Sequence, residues 1–504
     1  MTKQEALIAA YLLDPGQREY KVGGSSTYVK LMKDLKAKKL DTIFNEIEVP
    51  LIKVLKKMED RGVKLDLECL ASLSKQSEKR IKQLTKEIHE SAGGEFNIAS
   101  PKQLREILFD KLQIPAFNLR KTGKTKALST AATELEKLRG LHPIIDLISE
   151  YRELAKLKST YLDALPKLVS NKDGRLHTTY SQTTAATGRL SSFEPNLQNI
   201  PVRTELGNQV RKAFIAEKGF VLASLDYSQI ELRIAATLSG DKEMIKIFSA
   251  RGGSAFGGEA GDFHAATAAR LFDIDETQVT SAQRRNAKTI NFSVLYGVSA
   301  FGLSSRSEMS QVEASEYIKK YFEVFHELKK YIDSIIKQAH QDEFVVNPLG
   351  RIRYFPEINS AVYPVRSAAE RAAFNMPIQS LAADIMKMAM IRIDEFLKNS
   401  SISNFISPSG GDVANGDREG RSITPSPSAS HHPPPKGEGK FDQTLDCRML
   451  LSVHDELIFE IKKDKTAKFV PKLVSIMETV YKLKVPVIVD AKIGPNWMEM
   501  KELE

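Results

Sequence analysis

The sequence predicts an α+β protein of several parts, in which a long helical region precedes a sheet assembled from two distant stretches of chain. Three observations predict this fold class. Apolar residues recur at spacings of three and four between about residues 47 and 168. Short apolar runs between turn residues begin after Asn171 and return in the last third of the chain. Finally, a chain of 504 residues is too long for one simple core.

Composition narrows the class of protein further. Hydrophobic residues make up 42% of the chain, but no apolar run approaches the roughly 18 residues of a membrane-spanning helix, so we expect no membrane partner. Cys69 and Cys447 are far apart, which predicts neither a disulfide framework nor a zinc site. The net charge of +9 favours a polyanionic partner such as nucleic acid. The first residues lack the pattern of a secretory signal, so we expect a cytoplasmic location.

The helical region is rich in Lys and Glu, for example over residues 70–89, which is typical of an elongated subdomain. Within it, Arg152 and Lys156 lie four residues apart and therefore share one face of a helix. Such a pair is explained by a solvated charged face as readily as by a contact surface for phosphates.

Short β-like runs follow the helical region at residues 175–180, 212–215 and 221–225, and two more occur at residues 449–453 and 457–461. Helical periodicity returns between these groups, from residue 241 to residue 374, and a further helix is predicted at residues 372–396. The sheet is therefore expected to combine two segments that helices separate.

Asp226 directly follows the apolar run at residues 221–225, and residues 228–236 have helical periodicity. The sequence therefore predicts that Asp226 lies at a strand-to-helix junction. An aspartate at such a junction has two explanations, because it serves equally well as a helix N-cap and as a ligand in a functional site.

Asp455 lies between two predicted strands, in a His-Asp-Glu sequence that indicates a tight hairpin. Ordinary turn chemistry also favours an aspartate there. Together with Asp226, however, it would form a pair of carboxylates on neighbouring strand ends. Such a pair suits two Mg²⁺ ions about 3.5–4 Å apart, which clamp the attacking and leaving oxygens of a phosphoryl transfer.

A row of side chains steps by four along the predicted helix at residues 284–297 (RRNAKTINFSVLYG), namely Arg284, Lys288, Phe292 and Tyr296. Two cations suit phosphates, and two aromatic rings suit a sugar and a base. Chance spacing on an amphipathic helix is the alternative. Gly297 follows at once and predicts the end of the helix.

A second polar row steps by four on the helix predicted near the C-terminal third, and it consists of Arg371, Asn375 and Gln379. The other face of this helix is rich in Ala and Met. The row suits contacts to a nucleic-acid minor groove or sugar that do not depend on sequence.

Three segments closely resemble the signature motifs of family A DNA polymerases, in that family's order: residues 226–233 (DYSQIELR), 284–297 and 453–456 (VHDE). Similar matches occur at residues 187–192 (TGRLSS), 195–203 (PNLQNIPVR) and 375–384 (NMPIQSLAAD). The resemblance, of which bacterial DNA polymerase I is the type, runs from about Glu46 to the C-terminus and leaves out residues 407–440.

The resemblance implies a right-hand polymerase architecture with an antiparallel-sheet palm, a helical thumb and helical fingers. It divides the chain into residues 1–45, the end of a 3′-5′ exonuclease domain; 46–170, the thumb; 171–240, the first part of the palm; 241–374, the fingers; and 375–504, the second part of the palm, interrupted by a disordered insert at 407–440.

The resemblance also implies an activity, a DNA-directed DNA polymerase that adds deoxynucleoside triphosphates to the primer of a primer-template DNA, in repair and replication and as a monomer. Asp226, Asp455 and the carbonyl of Tyr227 would bind two Mg²⁺ ions, with Glu456 as an accessory carboxylate. Lys288 would be the acid for release of pyrophosphate.

Further roles are implied residue by residue. The incoming nucleotide would be bound by Tyr227, Gln229, Glu231, His264, Arg284, Lys288, Phe292 and Tyr296. The primer and template would be bound by Arg152, Lys156, Arg189, Asn196, Gln198, Asn199, Arg371, Asn375, Gln379 and His454.

Two departures from the family are visible in the sequence. Residues 1–45 resemble only the final helices of the exonuclease domain and contain no acidic nuclease core, so we expect no proofreading in this chain. About half of residues 407–440 are Gly, Pro or Ser, which predicts disorder. The alternative is that His431 and His432 bind a metal, or that the basic ends of this segment contact DNA.

Two rival functions remain. One is an RNA polymerase or a reverse transcriptase with a similar palm. Glu231 argues against the RNA polymerase, because in the family it crowds a 2′-hydroxyl. The other is a noncatalytic DNA-binding relic, which the retention of all metal and triphosphate residues makes the weaker alternative.

We predict that replacing residues 407–440 by a short Gly/Ser linker preserves primer extension and thermal stability. The segment has few apolar residues to offset an ordering cost of about 1–2 kcal/mol per residue, whereas each doubling of loop length costs only about 0.6 kcal/mol. Extension rate and melting temperature measure the outcome, and a large loss of either would show that the segment belongs to the working protein.

Overall fold

The computed structural model describes residues 1–17, 19–116, 119–122, 126–201, 204–250, 262–305, 307, 309–403 and 445–503. The predicted insert at residues 407–440 and its two histidines therefore lie outside the described residues. Helical regions surround an antiparallel sheet, so the α+β prediction is confirmed.

The described part of the first 170 residues is mainly helical, and the sequence predicted helix from about residue 47 to residue 168. Their helices are α1 (Lys3–Leu13), α2 (Ser25–Ala37), α3 (Asp41–Ile43), α4 (Val49–Arg61), α5 (Leu67–Ala92), α6 (Pro101–Arg105), α7 (Ala132–Glu136), α8 (Ile144–Leu157) and α9 (Leu165–Leu168). Single π-helical turns at Phe44–Glu48, Glu106–Lys111 and Lys158–Leu162 adjoin α4, α6 and α8.

Helix α5 shows why this region forms a separate helical unit. It begins at the N-cap Asp66, whose carboxylate accepts the backbone N–H of Cys69 at 2.9 Å, and it ends at Gly93 in the left-handed conformation. Leu84 and Ile88 on its apolar face are fully buried in a core that α8 completes. The region therefore has its own apolar core away from the sheet.

Among the described residues only four strands, all in the central sheet, are longer than three residues. The strands are β1 (Val63–Leu65), β2 (Arg175–Leu176), β3 (Thr179–Ser181), β4 (Ser191–Phe193), β5 (Phe214–Ile215), β6 (Phe220–Tyr227), β7 (Phe344–Val346), β8 (Ile352–Tyr354), β9 (Cys447–Val453), β10 (Glu456–Lys462), β11 (Val489–Gly494) and β12 (Lys501–Glu502). The central sheet has the antiparallel order β12-β11-β6-β10-β9. Its middle strand thus pairs on both edges with strands from the last 60 residues.

The remaining helices come after β4 in the chain. They are α10 (Glu205–Lys212), α11 (Ile230–Ser239), α12 (Lys242–Ser249), α13 (Phe263–Phe272), α14 (Ser281–Leu295), α15 (Ala300–Ser304), α16 (Gln311–Val324), α17 (His326–Asp342), α18 (Tyr363–Ser403) and α19 (Thr466–Thr479). None of the described helices combines the length and apolar character that crossing a lipid bilayer requires.

Some predicted elements were wrong in their bounds. The run at 212–215 is a strand only at Phe214–Ile215, because the Thr204 side chain caps α10, which extends to Lys212. The run at 175–180 forms two short strands in different sheets. The helix predicted from residue 372 begins at Tyr363 and continues through Pro377, where burial of the side chains on both sides offsets the missing backbone hydrogen bond.

Asp241 joins two helices and is only 1% exposed. Its Oδ1 accepts the N–H groups of Glu243 and Met244, both at 3.1 Å, in the first turn of α12. Its Oδ2 accepts the N–H groups of Glu327 and Leu328, at 3.1 and 3.3 Å, in the first turn of α17. One carboxylate therefore caps two helix N-termini and fixes their relative position.

We predict that Asp241→Ala lowers the free energy of unfolding by about 2 kcal/mol or more, because a single cap contributes about 1 kcal/mol and two are lost together. Equilibrium unfolding in urea measures the change. Asp275→Ala is the matched control, since Asp275 is exposed and caps only the 3₁₀ turn Glu276–Gln278. A loss no larger than that of the control would contradict the double cap.

Candidate active site

The central sheet brings the two predicted carboxylates together. Strand β6 pairs with β10 so that Asp226 stands opposite Glu456, and the backbone N–H of Tyr227 donates to the carbonyl of Asp455 at 3.1 Å. Asp455 lies in the turn between β9 and β10. This register agrees with the prediction that a strand end and a hairpin tip carry neighbouring carboxylates.

The helix-cap explanation does not hold for Asp226. Asp226 lies within β6 and does not cap α11, whose N-cap is Gln229 in the left-handed conformation. Asp455 is the second residue of the hairpin turn, after His454 at φ +54°. Aspartate is a common turn residue, so only Asp226 is left without a purely structural explanation.

Electrostatic repulsion is concentrated at Asp226. Although its carboxylate reaches the solvent of a cleft, the surrounding protein removes part of its hydration, and Glu456, Asp455 and Asp490 add negative charge. These effects, burial first, raise the pKa of Asp226 to about 7. Burial also raises the pKa of Asp455, which the Arg189 guanidinium opposes. Cations in the cleft would relieve this repulsion.

Glu456 is anchored by groups that the sequence analysis did not identify. Its carboxylate accepts hydrogen bonds from the Ser224 hydroxyl and, at 3.2 Å, from the Trp497 indole N–H. Arg211 lies 3.8 Å from it and stacks 4.0 Å above the Trp497 ring. These contacts hold Glu456 in one position beside Asp226.

Asp490 is a further carboxylate that the sequence analysis missed. It stands opposite Asp226 on β11. The signal was present, because residues 487–489 form an apolar run that ends in an aspartate, as residues 221–225 do. Asp490 was missed because only the register of β11 against β6 brings it to the same place.

A cleft of about 520 Å³ opens over these side chains, lined among others by Asp226, Asp455, Glu456, Asp490 and Lys492. Among the described residues no group of three or more His, Cys, Asp or Glu side chains converges on one metal position. Hard carboxylate oxygens in a roomy cleft nevertheless fit Mg²⁺, which takes several of its ligands from water and substrate phosphates.

Helix α14 carries the predicted row of cations and aromatics and ends within one residue of the predicted position. Arg284 forms an ion pair with Asp262, whereas Lys288 is exposed. Phe292 packs partly against the main core. At the helix end the Tyr296 hydroxyl donates to Glu231 at 2.7 Å. The row therefore contains an accessible cation, Lys288, and ends at Tyr296, whose ring is hydrogen-bonded to Glu231 on α11.

Glu231 is held from two sides and is 5% exposed. Arg189 forms an ion pair with one carboxylate oxygen, and Tyr296 donates to the other. Burial raises the pKa of Glu231, and Arg189 opposes the shift. Three residues that are far apart in sequence thus form one rigid group near Asp455.

His264 is placed differently from the expectation that it contacts phosphate. It is 3% exposed, and the Asn291 side-chain amide donates to its Nδ1 at 2.9 Å. Burial lowers its pKa to about 4, so the ring is neutral at pH 7 and carries its proton on Nε2. In this conformation His264 is an interior residue of the α13–α14 packing.

The predicted DNA contacts differ in exposure. Lys156, Asn196, Asn199, His454 and Arg371 are exposed. Three less exposed side chains donate to backbone carbonyls: Arg152 to that of Thr130, Gln198 to that of Ser452 at 3.2 Å, and Asn375 to that of Arg371 at 2.9 Å. Gln379 is half-buried on α18.

A sequence profile described as DNA polymerase family A matches residues 67–407 and 437–499. The chain belongs to this family. The unmatched residues between the two segments, 408–436, fall inside the insert that the sequence analysis placed outside the family pattern.

Individual members of DNA polymerase family A are similar over nearly the whole chain. The thermostable DNA polymerase I of Thermus thermophilus is 40% identical over 99% of this chain and 56% of its own length. The DNA polymerase I of Geobacillus stearothermophilus is 39% identical over 94% of this chain and 48% of its own. The chain thus spans about half the length of these relatives.

A solved structure agrees with the family assignment. It is the POL domain of Pol1 from M. smegmatis in complex with a DNA primer-template and dNTP, with a TM-score of 0.82 and 33% identity, and the match covers 98% of this chain and 81% of that one. The α+β polymerase fold of family A is therefore the fold of this chain.

Gly297, which follows the end of α14, lies closely against two side chains of α18 in this family A fold. Its φ is +65°, and an added Cβ would lie 2.7 Å from the Phe374 ring and 2.8 Å from Cγ of Arg371. We predict that Gly297→Ala lowers the free energy of unfolding by about 1 kcal/mol from backbone strain and by a further 1–3 kcal/mol or so from overpacking.

The matched control for this prediction is Gly174→Ala. Gly174 has a similar φ of +70°, but an added Cβ would meet no described heavy atom within 4 Å. Urea unfolding of both variants separates strain from packing. If both variants lose the same free energy of unfolding, the neighbours of Gly297 make room for the added methyl group without cost. The close approach at Gly297 would then not contribute to stability.

Proposed function

We propose that this chain is a DNA-directed DNA polymerase that extends a primer 3′ end by two-metal phosphoryl transfer, in DNA repair and replication. The observation that carries the proposal is the pairing of β6 with β10, in which Asp226 is opposite Glu456 and next to the Asp455 turn. All three carboxylates line one cleft. The family match and the DNA-bound structural neighbour support the substrate class.

Asp226, Asp455 and the Tyr227 carbonyl hold two Mg²⁺ ions in this proposal. When bound, such ions neutralise phosphate charge and activate the attacking primer hydroxyl. The raised pKa of Asp226 supports the assignment, because a carboxylate crowded by like charges gains most from a cation. Glu456, anchored by Ser224 and Trp497, adds negative charge beside the pair.

Helix α14 binds the incoming triphosphate in this proposal. The exposed Lys288 binds phosphate and passes a proton to the departing pyrophosphate, while Arg284 exchanges its ion pair with Asp262 for a phosphate contact. Phe292 packs against the sugar, and Tyr296 lies beside the templating pair. Watson-Crick pairing and shape then select the base.

The right-hand division of the chain also belongs to this proposal. The helical region at residues 46–170 is the thumb and, with Lys156, contacts the DNA backbone without reading sequence. Residues 241–374 are the fingers, and the central sheet with α18 forms the palm. We further propose that the protein acts as a monomer.

We propose that this chain does not excise nucleotides from a primer 3′ end. Before Glu46 the described residues form three helices and no strand that presents paired carboxylates. A nuclease site of the two-metal type needs such carboxylates on a rigid element. A mismatched primer terminus should therefore remain uncut.

We predict that Asp226→Ala and Asp455→Ala each abolish primer extension but leave the affinity for primer-template DNA nearly unchanged, because phosphate contacts are spread over the whole surface. Gel assays of extension and of DNA binding measure the two effects. The same gels also follow any shortening of a mismatched primer, which should be absent.

Asp446→Ala is the control for both variants. Asp446 lies at the far end of the β9–β10 hairpin, 2.6 Å from Lys462, so its loss should leave extension intact. Substantial extension by either active-site variant would refute the two-metal assignment, and loss of extension in the control would point to a general defect of the hairpin.

We predict that Glu231→Ala raises incorporation of ribonucleotides relative to deoxynucleotides by about tenfold or more, because the side chain that crowds a 2′-hydroxyl is removed. Glu231→Gln keeps the volume and should retain most of the discrimination. Single-nucleotide kcat/KM ratios measure both variants. Equal ratios in wild type and the alanine variant would place the sugar elsewhere.

A further inference from the structure

Residues 182–189, which we name the Arg189 loop, are fixed from behind at three points. Gln182 donates to Oε2 of Glu48 at 2.7 Å and to its carbonyl at 2.9 Å. The Tyr11 hydroxyl donates to the Ala185 carbonyl at 2.7 Å. Gly188 lies so close to Arg351 that an added Cβ would be 2.8 Å from its Nε. The loop ends at the arginine that pairs with Glu231.

Two of the anchoring residues, Glu48 and Arg351, belong to a buried cluster of two acids and two bases. Its members are Glu48, Arg351, Asp384 and Lys387, each at most 1% exposed. Nη2 of Arg351 lies 2.6 Å from Glu48 and 2.5 Å from Asp384. Lys387 Nζ lies 2.6 Å from Glu48, and the charges balance. Removing a partner from such a cluster leaves an uncompensated buried charge, so its geometry is narrowly fixed.

Two of the anchors come from a part of the chain that the family profile does not match. Tyr11 lies on α1 and Glu48 directly precedes α4, whereas the profile begins at residue 67. Tyr11 is 1% exposed and packs in the core that α1, α2 and the following helical turn share. The N-terminal helices therefore reach the back of the Arg189 loop directly.

The front of the loop faces the candidate active site. Arg189 forms the ion pair with Glu231, and it lines a small cavity of about 40 Å³ together with Asp455 and Lys387. Lys387 of the buried cluster and Asp455 of the hairpin turn thus line the same cavity. A displacement of the loop would be transmitted to Arg189 and from it to Glu231.

We propose that Tyr11 and Glu48 are positioning residues for nucleotide selection. By fixing the Arg189 loop from behind, they set the position of Arg189, which in turn holds Glu231 against the sugar of the incoming nucleotide. The N-terminal helices are then a working part of the polymerase. This inference rests on the polymerase function proposed above.

Tyr11→Phe tests the proposal with the smallest change, because the ring stays in the core and only the bond to the Ala185 carbonyl is lost. We expect kcat/KM for the correct deoxynucleotide to fall by about three- to tenfold, the effect of one uncharged hydrogen bond. Discrimination against the ribonucleotide should fall with it.

Tyr20→Phe is the matched control. The Tyr20 hydroxyl lies in the same N-terminal segment, but it donates to the Asp14 carbonyl at 3.1 Å and accepts from the Gly16 N–H, and so does not reach the loop. Its kinetics should equal those of wild type. The melting temperatures of both variants show whether the assays are run on folded protein.

A double-mutant cycle separates positioning from general destabilisation. In an Arg189→Ala background Tyr11→Phe should have no further effect on discrimination, because its action passes through Arg189. Additive effects, or wild-type discrimination in Tyr11→Phe alone, would overturn the proposal while leaving the polymerase function intact.

Hydrogen exchange distinguishes failure of this proposal from failure of the proposed function. Should the wild-type protein extend no primer, the backbone amides of residues 182–189 still report the anchoring. Faster exchange there in Tyr11→Phe than in Tyr20→Phe supports the anchor, and equal exchange overturns it.

Discussion

Like charges held at short range are the constraint on which the rest of this structure depends. The pairing of β6 with β10 and β11 places Asp226 opposite both Glu456 and Asp490, and the Asp455 turn lies beside them. Burial of the Asp226 carboxylate and repulsion within this group both oppose its ionised form, as the raised pKa of Asp226 records. The sheet holds the group together because its backbone hydrogen bonds and two apolar cores fix the strands from both faces.

Other acidic side chains near the site each have a basic side chain beside them. Glu231 is compensated by Arg189, Glu456 by Arg211, and the two acids behind the Arg189 loop by two bases. Each of these acids keeps its place because a cation or a hydrogen-bond donor is fixed next to it. The repulsion at Asp226 is thus confined to the cleft, where substrate and cations enter.

Local patterns predicted the parts of the molecule that depend on local physics. Asp226 was found because an apolar strand ends there, and the row on α14 was found because helical spacing repeats every four residues. The α+β class followed from the same periodicities. Asp490 also ends an apolar run, but only strand register shows that it stands opposite Asp226. Arg211 and Trp497 could not be found from local patterns, because packing between distant segments decides where they lie. The burial of His264 was unforeseen for the same reason, since its partner Asn291 comes from another helix.

The position of β6 in the middle of the sheet has a consequence for synthesis on the ribosome. Ser224 and its partner Glu456 are 232 residues apart, so at about 5–20 residues per second the strand waits roughly ten to fifty seconds for its neighbours. Throughout that time both of its edges carry unpaired N–H and C=O groups on an apolar strand, which is the state that favours association with other chains. The nascent chain therefore depends on the early folding of the helical regions, or on a chaperone, to cover β6 until the C-terminal strands emerge.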